Sequence, residues 1–177
     1  MQPTPVSIPV GILGATGMVG QRMLQLLSKH PFFQPDFLAA SSRSAGKQYS
    51  EACRWRLADG VPDKILNQRL YECIPERVPS GIQIIFSALD SSVAGPIEKK
   101  FQEAGFFVIT NASAWRMASD VPMIIPEVNP EALQILGKAP TSGIIANPNC
   151  CVIPLCLALA PLHERWGVEA VIVSTYQ

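Results

Sequence analysis

Net charge is what this sequence most lacks. Its 14 Lys and Arg balance 14 Asp and Glu, and charged residues fill only 16% of the 177 positions, against roughly 25% in ordinary soluble domains. With no basic excess to neutralise phosphates, a dedicated nucleic-acid surface is excluded. Long apolar runs are lacking too. Cys151 to Leu162 is the longest, it carries Pro154 and Pro161, and it falls short of the ~20 residues of a bilayer span. No basic segment opens the chain, and Pro3, Pro5 and Pro9 break any leader-like run, so a cytoplasmic protein is expected. The five cysteines form no CxxC and no Cys/His cluster, which points to free thiols and no metal site. There is no internal repeat and no low-complexity tract. What is present is 48% hydrophobic residues and 16 prolines. That is enough apolar surface for one well-punctuated core, and it excludes intrinsic disorder.

Apolar runs and glycines divide the chain. Pro5 to Leu13 predicts a strand and Met18 to Lys29 a helix, with Met18, Val19, Met23, Leu24, Leu26 and Leu27 at helical spacing. Phe37 to Ala40 predicts a second strand, opening into the polar loop Ser41 to Ser50. Ile82 to Leu89 is a near-continuous apolar run, the mark of a buried parallel strand. Val93 to Ala104 predicts a helix stopped by Gly105, and Phe106 to Thr110 the next strand. Further on come a short extended piece over Val121 to Ile125, a short helix over Pro130 to Leu136 and a strand over Ile144 to Ala146. An apolar helix over Val152 to Trp166 follows, with Pro154 in its first turn. Val168 to Gln177 predicts a last strand. Alternating strands and helices imply an α/β, Rossmann-like parallel sheet with helices on both faces.

Between the first strand and helix stands Gly14-Ala15-Thr16-Gly17-Met18-Val19-Gly20. Gly14 suits the tight turn, Gly17 close approach of a pyrophosphate, and Gly20 close helix packing. Phosphates there would meet free N–H groups and the positive helix end, with Thr16, Met18 and Val19 alongside. The competing reading is a glycine turn with no ligand. No acid follows the second strand, where one would bind a ribose 2′-hydroxyl. Ser41, Ser42, Arg43 and Ser44 stand there instead. An Arg among hydroxyls suits a 2′-phosphate, so NADP is expected over NAD, the alternative being a solvated basic loop.

Cys150 falls at a strand-to-helix junction after Asn147-Pro148-Asn149. The helix dipole and free N–H groups would stabilise its thiolate and could steady an oxyanion. An inert thiol is the competing reading. Cys151 is the neighbouring rival nucleophile, and Cys156 is expected in the core. A nicotinamide cofactor with an activated thiol defines one reaction class. The thiolate adds to an aldehyde, hydride leaves, and a thioester is passed to a nucleophile such as phosphate.

These motifs, with Ile125-Pro-Glu-Val-Asn129 and Asn147-Pro-Asn-Cys150, together resemble aspartate-semialdehyde dehydrogenase, in the spelling of its archaeal and fungal branch. Malonyl-CoA reductase of the same branch fits almost as well. The resemblance implies NADP-dependent interconversion of L-aspartyl-4-phosphate and L-aspartate 4-semialdehyde, on the way to lysine, threonine and methionine, in a homo-oligomer. It gives Cys150 the acyl-thioester role and Gln177 that of an active-site glutamine. Arg116 would hold the substrate phosphate, with Asn111 and Asn149 at the substrate, while the segment of Ser87, Ala88 and Leu89 would line the cofactor. The family runs to roughly twice this length. Residues 1–149 would form its NADP-binding domain and 150–177 the start of a truncated second domain. The family's acid/base histidine is not matched by His30 or His163. Little turnover is therefore expected of these residues alone, the alternative function being an NADP-binding module.

Overall fold

A computed structural model describes residues 7–176. Six parallel strands form a single sheet: β1 (Ile8–Leu13), β2 (Phe33–Ala40), β3 (Leu70–Glu72), β4 (Ile84–Ser87), β5 (Phe107–Thr110) and β6 (Gly143–Ala146). Their spatial order is β3-β2-β1-β4-β5-β6, every neighbouring pair parallel. The chain therefore winds outward in both directions from β1 and β4, the doubly wound arrangement. The helices are α1 (Met18–Leu27), α2 (Tyr49–Ala52), α3 (Asp63–Leu66), α4 (Ser91–Glu103) and α5 (Val152–Trp166).

Side-chain alternation along the strands builds two cores. Ile12, Leu38, Ala40 and Leu70 face Leu24 of α1, Tyr49 of α2 and Ile65 of α3. Leu13, Phe37, Ala39, Ile85, Val108, Ile144 and Ala146 face Phe101 of α4. Both faces of the sheet thus carry helices, as expected of a buried parallel sheet. Pro35 sits inside β2, where it cannot donate a ladder bond. The ladder accommodates it: Val10 pairs with Pro35 and Gly11 with Phe37, leaving Asp36 as an extra bulged residue.

Several boundaries depart from the sequence pattern. The strand predicted from Phe37 begins at Phe33, since the bulge interrupts its apolar run. The loop predicted over Ser41 to Ser50 ends in α2, and β3 was not foreseen. Pro130–Leu136 is a 3₁₀ helix. The strand predicted over Val168 to Gln177 is absent over Val168–Tyr176. A strand needs a neighbour to take its backbone bonds, and none stands beside this segment among the described residues. Ile172 and Tyr176 are almost fully exposed. Gln177 lies outside the described residues. Cys156 is half-buried rather than core, because no residue of α5 is buried. Among the described residues no helix is long and apolar enough to cross a membrane.

Candidate active site

The glycine turn leaves the C-terminal end of β1, where the strand order reverses. Gly14 has φ +73°, and a Cβ on it would lie 2.6 Å from the Ala88 carbonyl oxygen. Only glycine lets the β1 and β4 ends meet there. A Cβ on Gly20 would lie 2.3 Å from the Gly14 oxygen and 2.8 Å from Ala15 Cα, so Gly20 lets α1 sit against the turn. At Gly17 an added Cβ would meet only the Gly14 oxygen, at 3.4 Å; the space in front of it is open.

The turn is held from beneath. The Tyr49 hydroxyl donates to Ala15 O at 3.0 Å, and Gln21 Nε2 donates to Thr16 O at 3.0 Å. Burial drives the Tyr49 phenol far above its ordinary range. Within the turn Ala15 N donates to Ala39 O and Gly17 N to Gly14 O, each at 3.0 Å, so the donors left for a ligand are those at the start of α1. The N-cap of α1 is Gly17, which supplies no side-chain cap, and the first turn carries no acid. The first N–H groups of a helix have no intrahelical partner. Backbone donors and the positive dipole end therefore face the groove, the pattern that suits a pyrophosphate, while the Asp90 carboxylate in the same lining is engaged by Ser92 N.

That groove, of about 800 Å³, crosses the turn and the ends of β2, β4 and β5. It collects Gly14, Thr16, Gly17, Met18, Val19, Ser41, Ala88 and Asn111 from the sequence-based set. It also gathers Leu89, from the segment that the resemblance puts at the cofactor, and Ala40, Asp90, Ser91 and Ala112, which sequence reading missed. Their signal was position alone, since ligands of doubly wound sheets lie beyond the carboxyl strand ends. Ser87 is not in it. Its register beside Leu13 and Thr110 turns the side chain toward the α4 face, and its hydroxyl is buried without a hydrogen-bond partner among the described residues. Arg43 and Ser44 stand outside the lining, Arg43 exposed. Next to that loop a separate hollow brings Ala45 and Gly46 together with Arg69 and Arg77, cations that sequence reading did not single out. No acid follows Ala40 at the end of β2.

Beyond β5 a knot of polar groups fixes Arg116. Its Nε donates to Asn147 O at 3.0 Å and a terminal N–H donates to Asn111 O at 2.9 Å. Asn147 Nδ2 in turn donates to Asn111 Oδ1 at 2.7 Å. Two carbonyls thus set the plane of a half-buried guanidinium, and its remaining N–H groups are left for an anion. Cys150 lies three residues on from Asn147, exposed, at the entry to α5.

Asn149 organises that entry. Its carbonyl accepts from Val152 N at 2.9 Å and Ile153 N at 3.2 Å, and its Oδ1 accepts from Cys151 N at 2.8 Å. Asn149 is thus the physical cap of α5, although the helix proper begins at Val152. The N–H groups after Cys150 are all bonded to Asn149. The expectation that they could steady an oxyanion is therefore corrected; the helix dipole remains. Cys150 Sγ rests 3.9 Å from Asn149 Oδ1. Hydrogen bonding with Cys150, and then its charge, raise the Cys151 thiol above its ordinary value. Cys73, pushed up to about 11 chiefly by burial, is inert at neutral pH.

Sheet order, glycine turn and uncapped helix start together define a dinucleotide-binding domain of the Rossmann class. Residues 9–136 match the family described as semialdehyde dehydrogenase, NAD binding domain, and the chain belongs to that family. It is 46% identical to the aspartate-semialdehyde dehydrogenase of Methanothermobacter thermautotrophicus over 96% of this chain and 50% of that one. It is 35% identical to a malonyl-CoA reductase (NADP) of Metallosphaera sedula over 97% of this chain and 49% of that one. The crystal structure of aspartate semialdehyde dehydrogenase with NADP from Candida albicans superposes with a TM-score of 0.85 at 41% identity, covering 92% of this chain and 48% of that one. The chain spans about half the length of the relatives it matches.

Proposed function

We propose that this chain carries the cofactor site and the nucleophile of an NADP-dependent aspartate-semialdehyde dehydrogenase. The observation that carries the reading is the polar knot of Asn111, Arg116 and Asn147. It joins the dinucleotide groove, which Asn111 lines, to the chain segment that presents Cys150.

The N-terminus of α1 with Gly17 holds the pyrophosphate, and the space before Gly17 fits its approach. Ser41 and Arg43, with no acid at the end of β2, favour a 2′-phosphate. When bound, the dinucleotide donates hydride to the acyl carbon or accepts it. Arg116 grips the phosphate of aspartyl phosphate. The Cys150 thiolate attacks the acyl carbon; the carbon–sulfur bond forms as the bond to phosphate oxygen breaks, and phosphate leaves. After reduction the carbon–sulfur bond breaks and the aldehyde departs, returning the thiolate. Asn149 keeps Cys150 at the mouth of α5, where the dipole favours the anion. The family resemblance makes Gln177 the active-site glutamine of this reaction. The whole protein works in the cytoplasm as a homo-oligomer, in lysine, threonine and methionine biosynthesis.

The full-length protein containing this sequence tests the reading. Phosphate-dependent reduction of NADP with L-aspartate 4-semialdehyde, abolished in Cys150→Ser, is the expected result. Reduction of malonyl-CoA with no turnover of the semialdehyde would move the protein to the other relative's reaction. Unchanged turnover in Cys150→Ser would remove the nucleophile.

A further inference from the structure

Glu98 lies two turns into α4, and its side chain is completely buried. Its two hydrogen-bond partners are neutral. The Thr110 hydroxyl donates to Oε1 at 2.6 Å, and Trp115 Nε1–H donates to Oε2 at 2.7 Å. Burying a carboxyl group is costly even when it is hydrogen-bonded, and an apolar residue would serve packing better. The two donors show what the carboxyl group accomplishes instead. Thr110 is the last residue of β5, and its Oγ1 also accepts from Ala112 N at 3.0 Å. Trp115 immediately precedes Arg116. The same helix holds this segment once more, through Ser91 Oγ, which accepts from Ser113 N at 3.1 Å. The segment from Thr110 to Arg116 is thus fastened to α4 at both of its ends, and Glu98 makes both of those ties.

We propose that Glu98 is a positioning residue for the anion site. By anchoring Thr110 and Trp115 it fixes the path of the Asn111–Arg116 segment, and so where the guanidinium points its free N–H groups. The inference rests on the reading that Arg116 receives the substrate phosphate. Glu98 itself touches neither substrate nor cofactor.

The test uses the full-length protein and the phosphate-dependent oxidation of the semialdehyde. Glu98→Leu should raise the KM for phosphate by about tenfold or more, and the NADPH dissociation constant by clearly less, since of the released segment only Asn111 and Ala112 line the cofactor groove. Glu98→Gln retains one acceptor and one donor, and should recover most of the phosphate affinity. In an Arg116→Ala background, adding Glu98→Leu should change the phosphate KM by less than about twofold, because both variants remove the same contact. Should Glu98→Leu not fold, Thr110→Val removes one tie without the buried carboxyl group's full loss, and should raise the phosphate KM more than the NADPH dissociation constant. A phosphate KM that is unchanged in the folded variants, or effects of Glu98→Leu and Arg116→Ala that simply multiply, would overturn the proposal. If Arg116→Ala itself leaves the phosphate KM unchanged, the phosphate reading of Arg116 falls. The tie is then judged separately by the Trp115 indole N–H, whose hydrogen exchange should accelerate in Glu98→Leu and would be unaltered if Glu98 did not hold it.

Discussion

α1 and α5 both leave the C-terminal edge of one sheet, yet their surroundings are opposite. α1 begins at a glycine with no side-chain cap and buries Gly20, Gln21 and Leu24. α5 begins under the cap of Asn149, presents an exposed thiol, and buries no residue. A helix start left bare is useful only if the turn before it is rigid, and here Tyr49 and Gln21 hold that turn by its carbonyls. A helix that displays a nucleophile can instead be capped, because its task is to place one side chain. The groove at the glycine turn thus has walls on several described elements, whereas α5 has no buried face among the described residues.

The contrast is most strongly tested by packing. Gly20→Ala should destabilise the chain by about 3 kcal/mol or more in urea unfolding, because the added methyl group meets backbone atoms that cannot move aside. Leu157→Ala, on exposed α5, should cost less than about 0.5 kcal/mol. Comparable losses would erase the difference between the two helices.

The thiols extend the comparison to pH. The Cys73 thiol is raised in the folded state to about 11, above an unfolded value near 9. It therefore contributes stability that is intact below pH ~9 and is lost as pH rises toward ~11, in all about 2–3 kcal/mol. Unfolding curves across that window should show the loss, and Cys73→Ala should flatten it. Alkylation at neutral pH should label Cys150 first and spare Cys73; preferential labelling of Cys73 would contradict the assignment.

Smaller effects follow. Asn149→Ala should speed hydrogen exchange in the first turn of α5 by about fivefold, the equivalent of ~1 kcal/mol for a lost cap, and leave α1 protected. Removing residues 168–177 should change NADPH affinity by less than about twofold, since Val168 and Val171 line a hollow beside α5 and none of residues 168–176 lines the groove at the glycine turn.

Sequence reading recovered the fold where one signal suffices. The β1–glycine turn–α1 unit, the apolar runs at β4 and β5, and the Gly105 stop of α4 are local patterns. It missed β3, because three residues carry no period. It predicted a strand over Val168 to Gln177 because apolar alternation records a side-chain pattern, not the presence of a hydrogen-bonding neighbour. Within the site, the groove residues of the first turn were legible from the strand–turn–helix pattern, and the place of Cys150 at the entry to a helix was legible too. Glu98 was not, since a glutamate on a helix reads as a solvated face until Thr110 and Trp115 are seen closing on it. Nor was the capping role of Asn149, which depends on how its carbonyl and amide oxygen are shared among three N–H groups.

The most direct test is calorimetric titration of NADPH into this chain and two variants. Wild type and Cys150→Ser should bind equally at one site. Gly17→Ala should remain folded and lose about thirtyfold in affinity, ~2 kcal/mol, because its methyl group fills the space the pyrophosphate needs. Unaltered binding in folded Gly17→Ala would show that the bare start of α1 is not the cofactor site.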